Sequence, residues 1–379
     1  MVSARIRAVG ALGALALLGA LVVPAARADD TIRTQPFSEV LGIPSLHEHG
    51  LTGEGVTIGI IDGRIDTSIP ELAGADITVH DVCPVENYED ESITHGSAMT
   101  ALIASKDYGV APGATIHFYT RIGRATEQPT DECAGHRGLG YAINQAIDDG
   151  ADIISISFAG FRDDVEYALA RAEKKGIPVV VAAGNESVRN AKDSLGSMNT
   201  TIGVGSTDGD GVHADFSNTG ESVAISAPGF ATVRNLPDNV IRDMRGTSVS
   251  TALVSGFLAV AMQKWPDATG DQIIRLLLET ATRGDDKERD DVYGYGLLSP
   301  QGLITTDPAK LEDTHPLLDK GVAEWLPTSD QLADYADGFV DPTVIDANDA
   351  DYVYRGDNDA ILASFPEITR LGTSPRYHR

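Results

Sequence analysis

Apolar positions in this chain come in short blocks whose period switches between that of a covered strand and that of a helix. Residues 56–61, Val-Thr-Ile-Gly-Ile-Ile, form a near-continuous β-branched run, the pattern of a strand covered on both faces in a parallel sheet. Residues 114–122, 151–158, 177–183, 201–206 and 222–227 predict further strands, and 139–149 and 165–175 predict helices between them. Such alternation, punctuated by Gly or Pro, gives an α/β fold with a mostly parallel central sheet flanked by helices and right-handed crossovers. Residues 94–104 add a helix with His95 at its entrance and small residues that allow close approach. After Ser248 the run Leu253, Val254, Phe257, Leu258, Val260, Ala261 and Met262 leaves no wide polar face, so this helix belongs in the core. Residues 270–282 are amphipathic in the ordinary surface-helix manner.

The two ends depart from this pattern. Arg5 and Arg7, an apolar stretch from Ala8 to Val23 and the small-residue site ending in Ala26-Arg27-Ala28 read as an export signal cleaved after Ala28. The mature protein is then expected to be secreted, with no stable membrane anchor. From Thr306 the chain turns rich in Asp with little periodicity, which predicts an acidic tail wrapped on the domain or partly disordered. Its Asp346–Asp351 stretch lacks the glycine and flanking helices of a calcium loop.

With 379 residues and 42% hydrophobic content the chain can bury one large core or two smaller ones. Its formal net charge of -27 excludes nucleic acid as a natural partner, since that affinity comes from Lys and Arg neutralising phosphates. Two cysteines, Cys83 and Cys133, both lie in the exported part. They are expected to form a disulfide, worth roughly 4 kcal/mol for a loop of that size in the chain-entropy account. His47, His49, His136, His315 and His378 read as surface or loop residues without metal-ligand spacing, and no metal or other cofactor is expected.

The chemistry-bearing positions fall at element ends. Asp62 closes the first strand, where open α/β sheets place their ligands; an Asp-Gly turn is the plainer reading. Asn185 follows the strand at 179–183, either as a turn residue or as a side-chain donor. Ser248 stands near the start of the buried helix, where unpaired N–H groups and the helix dipole favour the oxyanion formed when a hydroxyl attacks a carbonyl. Thr247 or Ser248 could equally be a simple helix cap.

Three separated segments, Ile60-Ile61-Asp62-Gly63, His95-Gly96-Ser97 and Gly246-Thr247-Ser248, occur in the order Asp, His, Ser and resemble the subtilisin-like serine peptidases, the subtilases. Gly109-Val110-Ala111-Pro112-Gly113-Ala114, Gly150-Ala151-Asp152-Ile153-Ile154-Ser155, Val181-Ala182-Ala183-Gly184-Asn185-Glu186 and Ala227-Pro228-Gly229 extend the similarity. The resemblance implies a three-layer subtilisin-like fold and a serine endopeptidase acting on proteins or peptides. Ser248 would be the nucleophile, His95 the base, Asp62 its orienting partner and Asn185 the oxyanion donor. It further implies that Ser157, Phe158, Ala159 and Gly160, with Ala182, Ala183 and Gly184, line the cleft for an extended substrate. The family pattern is not matched throughout. Arg64 follows the Asp motif where a small residue is usual, Ser97-Ala98 replace a Thr-His pair, Ala159 replaces glycine and Ala252 replaces proline. These departures leave the reacting groups in place and favour a narrower processing role over broad digestion.

The expected organisation is a signal peptide at 1–28, a short extension at 29–50, a catalytic domain at 51–305 and an acidic extension at 306–379. Too few residues separate Ala28 from the first matching segment for a long inhibitory pro-domain, and the short loop at 104–109 predicts no calcium site there. Competing readings are a peptide-binding protein of the same fold with a weak or inactive site, and an esterase. The esterase would carry a Gly-x-Ser-x-Gly elbow that Ser248 lacks.

Overall fold

The β-branched run folds as β1 (Thr57–Asp62), five of whose six residues are buried, and it lies third of seven strands. The other strands of this sheet are β2 (Asp76–His80), β3 (Thr115–Thr120), β4 (Ile153–Ile156), β5 (Val179–Ala182), β6 (Thr201–Thr207) and β7 (Ile225–Pro228). Their order is β2-β3-β1-β4-β5-β6-β7, and every pairing is parallel. Such a sheet needs cover on both faces, and the helices supply it. They are α1 (Ile43–Glu48), α2 (Asp90–Ala104), α3 (Leu139–Asp148), α4 (Glu166–Lys174), α5 (Thr247–Lys264), α6 (Gly270–Glu279) and α7 (Pro300–Thr305). This computed structural model describes residues 31–82, 90–121, 138–158, 165–189, 194–282, 288–318 and 320. Cys83, Cys133, Ala159, Gly160, the expected signal peptide and the extension beyond 320 lie outside the described residues.

Strand alternation splits the core into two layers. Ile58, Ile60, Ile116 and Phe118 face α2 and α5, whereas Ile61, Tyr119, Ile154 and Ile156 face α3 and α4. Helix α5 is buried along most of its length, its polar residues there being small Ser and Thr, because it crosses the sheet and also packs against α2, α6 and α7. The amphipathic α6 starts with a capping box in which Thr269 and Gln272 satisfy each other's backbone N–H groups. The parallel sheet and its helices are the α/β architecture expected from the pattern. Among the described residues no helix is long and apolar enough to cross a membrane.

Several features were not expected. Strand β2 sits at the sheet edge and is mostly exposed, so it carries no apolar signature. A two-stranded antiparallel ribbon of β8 (Phe230–Asn235) and β9 (Val240–Arg245) leads directly into α5. Its anchor is a buried ion pair: Arg234 Nε and Nη2 donate to Glu71 Oε2 and Oε1 at 2.9 and 2.7 Å, with side chains 5% and 1% exposed. Burial pushes the Glu71 carboxyl up, but the guanidinium and the Ile32 N–H outweigh it and hold it below its ordinary value.

The first part of the acidic extension is ordered against the domain. Leu317 is buried, and the Thr200 N–H donates to its carbonyl at 3.2 Å. Arg275 on α6 donates to the carbonyls of Glu312 and Thr314. His315, part of this segment and expected at the surface, is buried and 6% exposed. Burial first, and the nearby Lys320 cation second, push its pKa down to about 4.

Candidate active site

Asp62 is the last residue of β1, and its side chain points to the sheet face that α2 covers. It is 4% exposed, and the Gly63 N–H donates to Oδ1 at 2.7 Å, so the carboxylate is fixed before any partner arrives. His95 Nδ1 lies 2.9 Å from both carboxylate oxygens. A carboxylate only accepts, so Nδ1 carries the proton and Nε2 keeps its lone pair. The imidazole is about one quarter exposed, at 28%, which leaves an edge open to solvent and substrate.

His95 lies in the second turn of α2 and not at its entrance, because the helix begins at Asp90 and Glu91, acids suited to an N-terminus. Gly96 has no room for a side chain: a Cβ there would come 2.1 Å from the Arg64 carbonyl oxygen. That close approach holds the 63–66 turn against α2, and Ser97 Oγ adds a bond from the Asp66 N–H at 2.8 Å. The unusual Arg64 extends to Asp81, with Nη1 to Oδ1 at 2.6 Å, and Thr120 donates to the same oxygen.

Ser248 is the second residue of α5. Neither it nor Thr247 caps the helix, since Gly246 is the N-cap and makes no side-chain bond. The Ser248 hydroxyl donates to the Ser157 carbonyl just beyond β4 at 2.7 Å. Behind it, Gly246 N–H donates to the Gly229 carbonyl at 2.9 Å and Ser250 Oγ donates to the Ala227 carbonyl at 3.0 Å. The Ala227-Pro228-Gly229 segment therefore supports the turn that presents Ser248.

Asn185 stands beyond β5, exposed at the same sheet edge. Its Oδ1 accepts the Thr247 N–H at 2.8 Å and the Thr247 hydroxyl at 3.1 Å. Asn185 Oδ1 is thereby committed to Thr247, the residue before Ser248, and Nδ2 is the other end of its amide. The Val249 N–H goes to the Gly246 carbonyl at 3.1 Å. Gly184 has φ +106°, and a Cβ on it would meet Asn218 Nδ2 at 2.2 Å, so only glycine fits before Asn185.

Asn218 carries no sequence signal but organises this loop. It is 1% exposed and uses its whole amide. Nδ2 donates to Ala183 O at 3.0 Å and Glu186 Oε2 at 2.7 Å, and Oδ1 accepts from the N–H groups of Glu186 and Val188. Its own N–H donates to Gly184 O at 3.0 Å. Of the expected cleft residues, Ser157, Ala182, Ala183 and Gly184 are buried, while Phe158 is partly exposed with the Arg121 guanidinium 4.1 Å over its ring.

Comparison with known proteins identifies the family. Residues 53–296 match the subtilase family of peptidases. Subtilisin E of Bacillus subtilis (strain 168) is 30% identical over 274 residues, covering 68% of this chain and 68% of that protein. Subtilisin Savinase of Lederbergia lenta is 29% identical over 268 residues, covering 68% of this chain and 94% of that protein. Among solved structures, the PatG macrocyclase in complex with peptide shares the fold with a TM-score of 0.61 at 20% identity, over 71% of this chain and 96% of that one. With the parallel sheet, the helix-borne histidine and serine and the matched length taken together, this chain belongs to the subtilase family and is a subtilisin-like serine endopeptidase.

Proposed function

We propose that the protein hydrolyses peptide bonds through Ser248, His95 and Asp62 with an acyl-enzyme intermediate. The observation that carries this reading is the His95 Nδ1 contact to both oxygens of the buried Asp62 at 2.9 Å. It holds the imidazole in the tautomer whose Nε2 can accept a proton. Ser248 Oγ turns from the Ser157 carbonyl toward His95, gives Nε2 its proton as it attacks the substrate carbonyl, and forms a tetrahedral oxyanion. Asp62 stabilises the imidazolium so formed. Asn185 Nδ2 and the Ser248 N–H receive the oxyanion at the positive end of α5. His95 returns the proton to the leaving amine, and water then repeats the sequence on the ester. Ser157, Phe158, Ala159 and Gly160 pair with the substrate backbone on one side, and Ala182, Ala183 and Gly184 on the other.

The reading extends to export of the mature chain from Asp29 onward, to the four-part division of the chain, and to a Cys83–Cys133 disulfide. Selective processing of particular proteins is favoured over general digestion by Arg64, Ala98, Ala159 and Ala252, where most subtilases differ. The test is incubation of the purified protein with a peptide library and with unfolded casein, beside His95→Ala. A short list of cleaved sequences, with cleavage lost in the variant, fits selective processing by this triad. Indiscriminate cleavage removes the processing role. Cleavage that persists in His95→Ala removes the triad assignment.

A further inference from the structure

On the sheet face opposite Asp62, three metal-ligand side chains from three separate elements converge. His80 ends β2, His117 lies on β3, and Asp149 follows the last residue of α3. One donor atom from each lies within 4.8 Å of the other two. The parallel register that pairs Thr78 with His117 and His80 with Tyr119 puts both imidazoles on the same side of the sheet. Their ring centroids are 5.1 Å apart.

The histidine at the edge is poorly satisfied by protein groups. His80 Nδ1 is 3.6 Å from Asp149 Oδ2, beyond hydrogen-bonding reach, and its Nε2 is buried with no hydrogen-bond partner among the described residues. The carboxylate, by contrast, is held from behind. The Tyr119 hydroxyl donates to Asp149 Oδ2 at 2.8 Å, and the fully buried Tyr119 ring stacks on His80 with centroids 4.6 Å apart. An oriented carboxylate beside two imidazoles, open to solvent on one side, is the arrangement of a three-ligand metal site with its supporting hydrogen bond.

The geometry assigns a divalent transition-metal site, best suited to Zn2+, to His80, His117 and Asp149. Two nitrogens and one oxygen suit zinc with water as the fourth ligand, whereas calcium would require six or more oxygens. Tetrahedral coordination places ligand atoms about 3.3 Å apart, a contraction that side-chain rotation supplies. The ion would tie the exposed edge strand β2 to β3 and α3. Its function is therefore structural, and it acts on the other side of the sheet from the proposed catalytic groups. The primary sequence conceals the site because the ligands share no spacing motif.

The test is equilibrium dialysis of the chelator-stripped, full-length protein against Zn2+ at neutral pH, beside His117→Gln and Asp149→Asn. The asparagine keeps an acceptor for Tyr119 while weakening the ligand. One zinc per chain is expected, with at least tenfold weaker binding in each variant and a zinc-dependent rise in melting temperature confined to the wild type. X-ray absorption of the zinc-loaded wild type gives a readout that does not depend on how the variants fold. Imidazole scattering with nitrogen and oxygen neighbours is expected. No zinc uptake, undiminished uptake in both folded variants, or sulfur scattering from Cys83 and Cys133 would overturn the assignment.

Discussion

Asn185 Oδ1 accepts the backbone N–H of Thr247 at 2.8 Å, and this one bond fixes which end of the side-chain amide is turned toward the start of α5. An N–H can only donate, so the atom facing it is oxygen, and Nδ2 is the end that would serve a developing oxyanion in the proposed mechanism. Asn185→Leu is expected to lower kcat by on the order of 100- to 1,000-fold with little change in KM. Steady-state kinetics on a peptide substrate decide it. A loss confined to KM would mean that Asn185 binds the ground state.

Asn218 holds the same loop through five hydrogen bonds, although its side chain is remote from any reacting atom in sequence. Asn218→Ala should lower both kcat and stability, the latter by about 1 to 3 kcal/mol for the polar groups left unpaired. Asn218→Asp, which turns the donor toward Ala183 O and Glu186 Oε2 into a buried carboxylate oxygen facing both acceptors, should be at least as damaging as the alanine. Equal activity in all three proteins, measured below their melting temperatures, would remove its positioning role.

The sequence was most legible where burial is two-sided. Strands β1, β4 and β5 are mainly apolar because both their faces are covered, β6 is buried throughout with small Gly, Ser and Thr among its apolar residues, and α5 reads as core for the same reason. Strands β2 and β9 are largely exposed and β8 is only half buried, so little apolar periodicity marks them. Asp62, Asn185 and Ser248 are legible because they sit at element ends within recognisable segments, and His95, in the second turn of α2, because its His-Gly-Ser segment is recognisable. Asn218 and the His80, His117 and Asp149 group are not, since only strand register and chain return bring them to their partners. His315 reads as surface because the segment it belongs to is polar and acidic in composition.

The Glu71–Arg234 pair bridges the segment before β2 and the ribbon that leads into α5, with both side chains almost wholly buried. Removing one partner strands a charge in the core. Glu71→Gln or Arg234→Met alone should cost about 3 to 5 kcal/mol, and the double variant Glu71→Leu/Arg234→Met should recover part of that loss. Urea unfolding of the four proteins measures the cycle. Additive losses would show that the two charges do not depend on each other.

His315 links stability to acidity. Its pKa is pushed from an ordinary 6.5 down to about 4 in the fold. Between those values the unfolded chain binds a proton that the folded chain does not, so stability falls as the pH drops through this window. The expected loss from this group is on the order of 3 kcal/mol. His315→Asn, which can still accept the Leu317 N–H, should flatten the profile between pH 6.5 and 4. Parallel profiles for the two proteins would contradict the linkage.

The central claim is that Ser248 is an activated nucleophile served by His95 and Asp62. Fluorophosphonate labelling of the purified protein, read by intact mass and peptide mapping beside Ser248→Ala and His95→Ala, tests it most directly. The account predicts one adduct on Ser248, absent in the first variant and greatly slowed in the second. A folded protein that stays unlabelled, or an adduct that forms at wild-type rate without His95, would contradict it and favour a fold kept for binding peptides without cutting them.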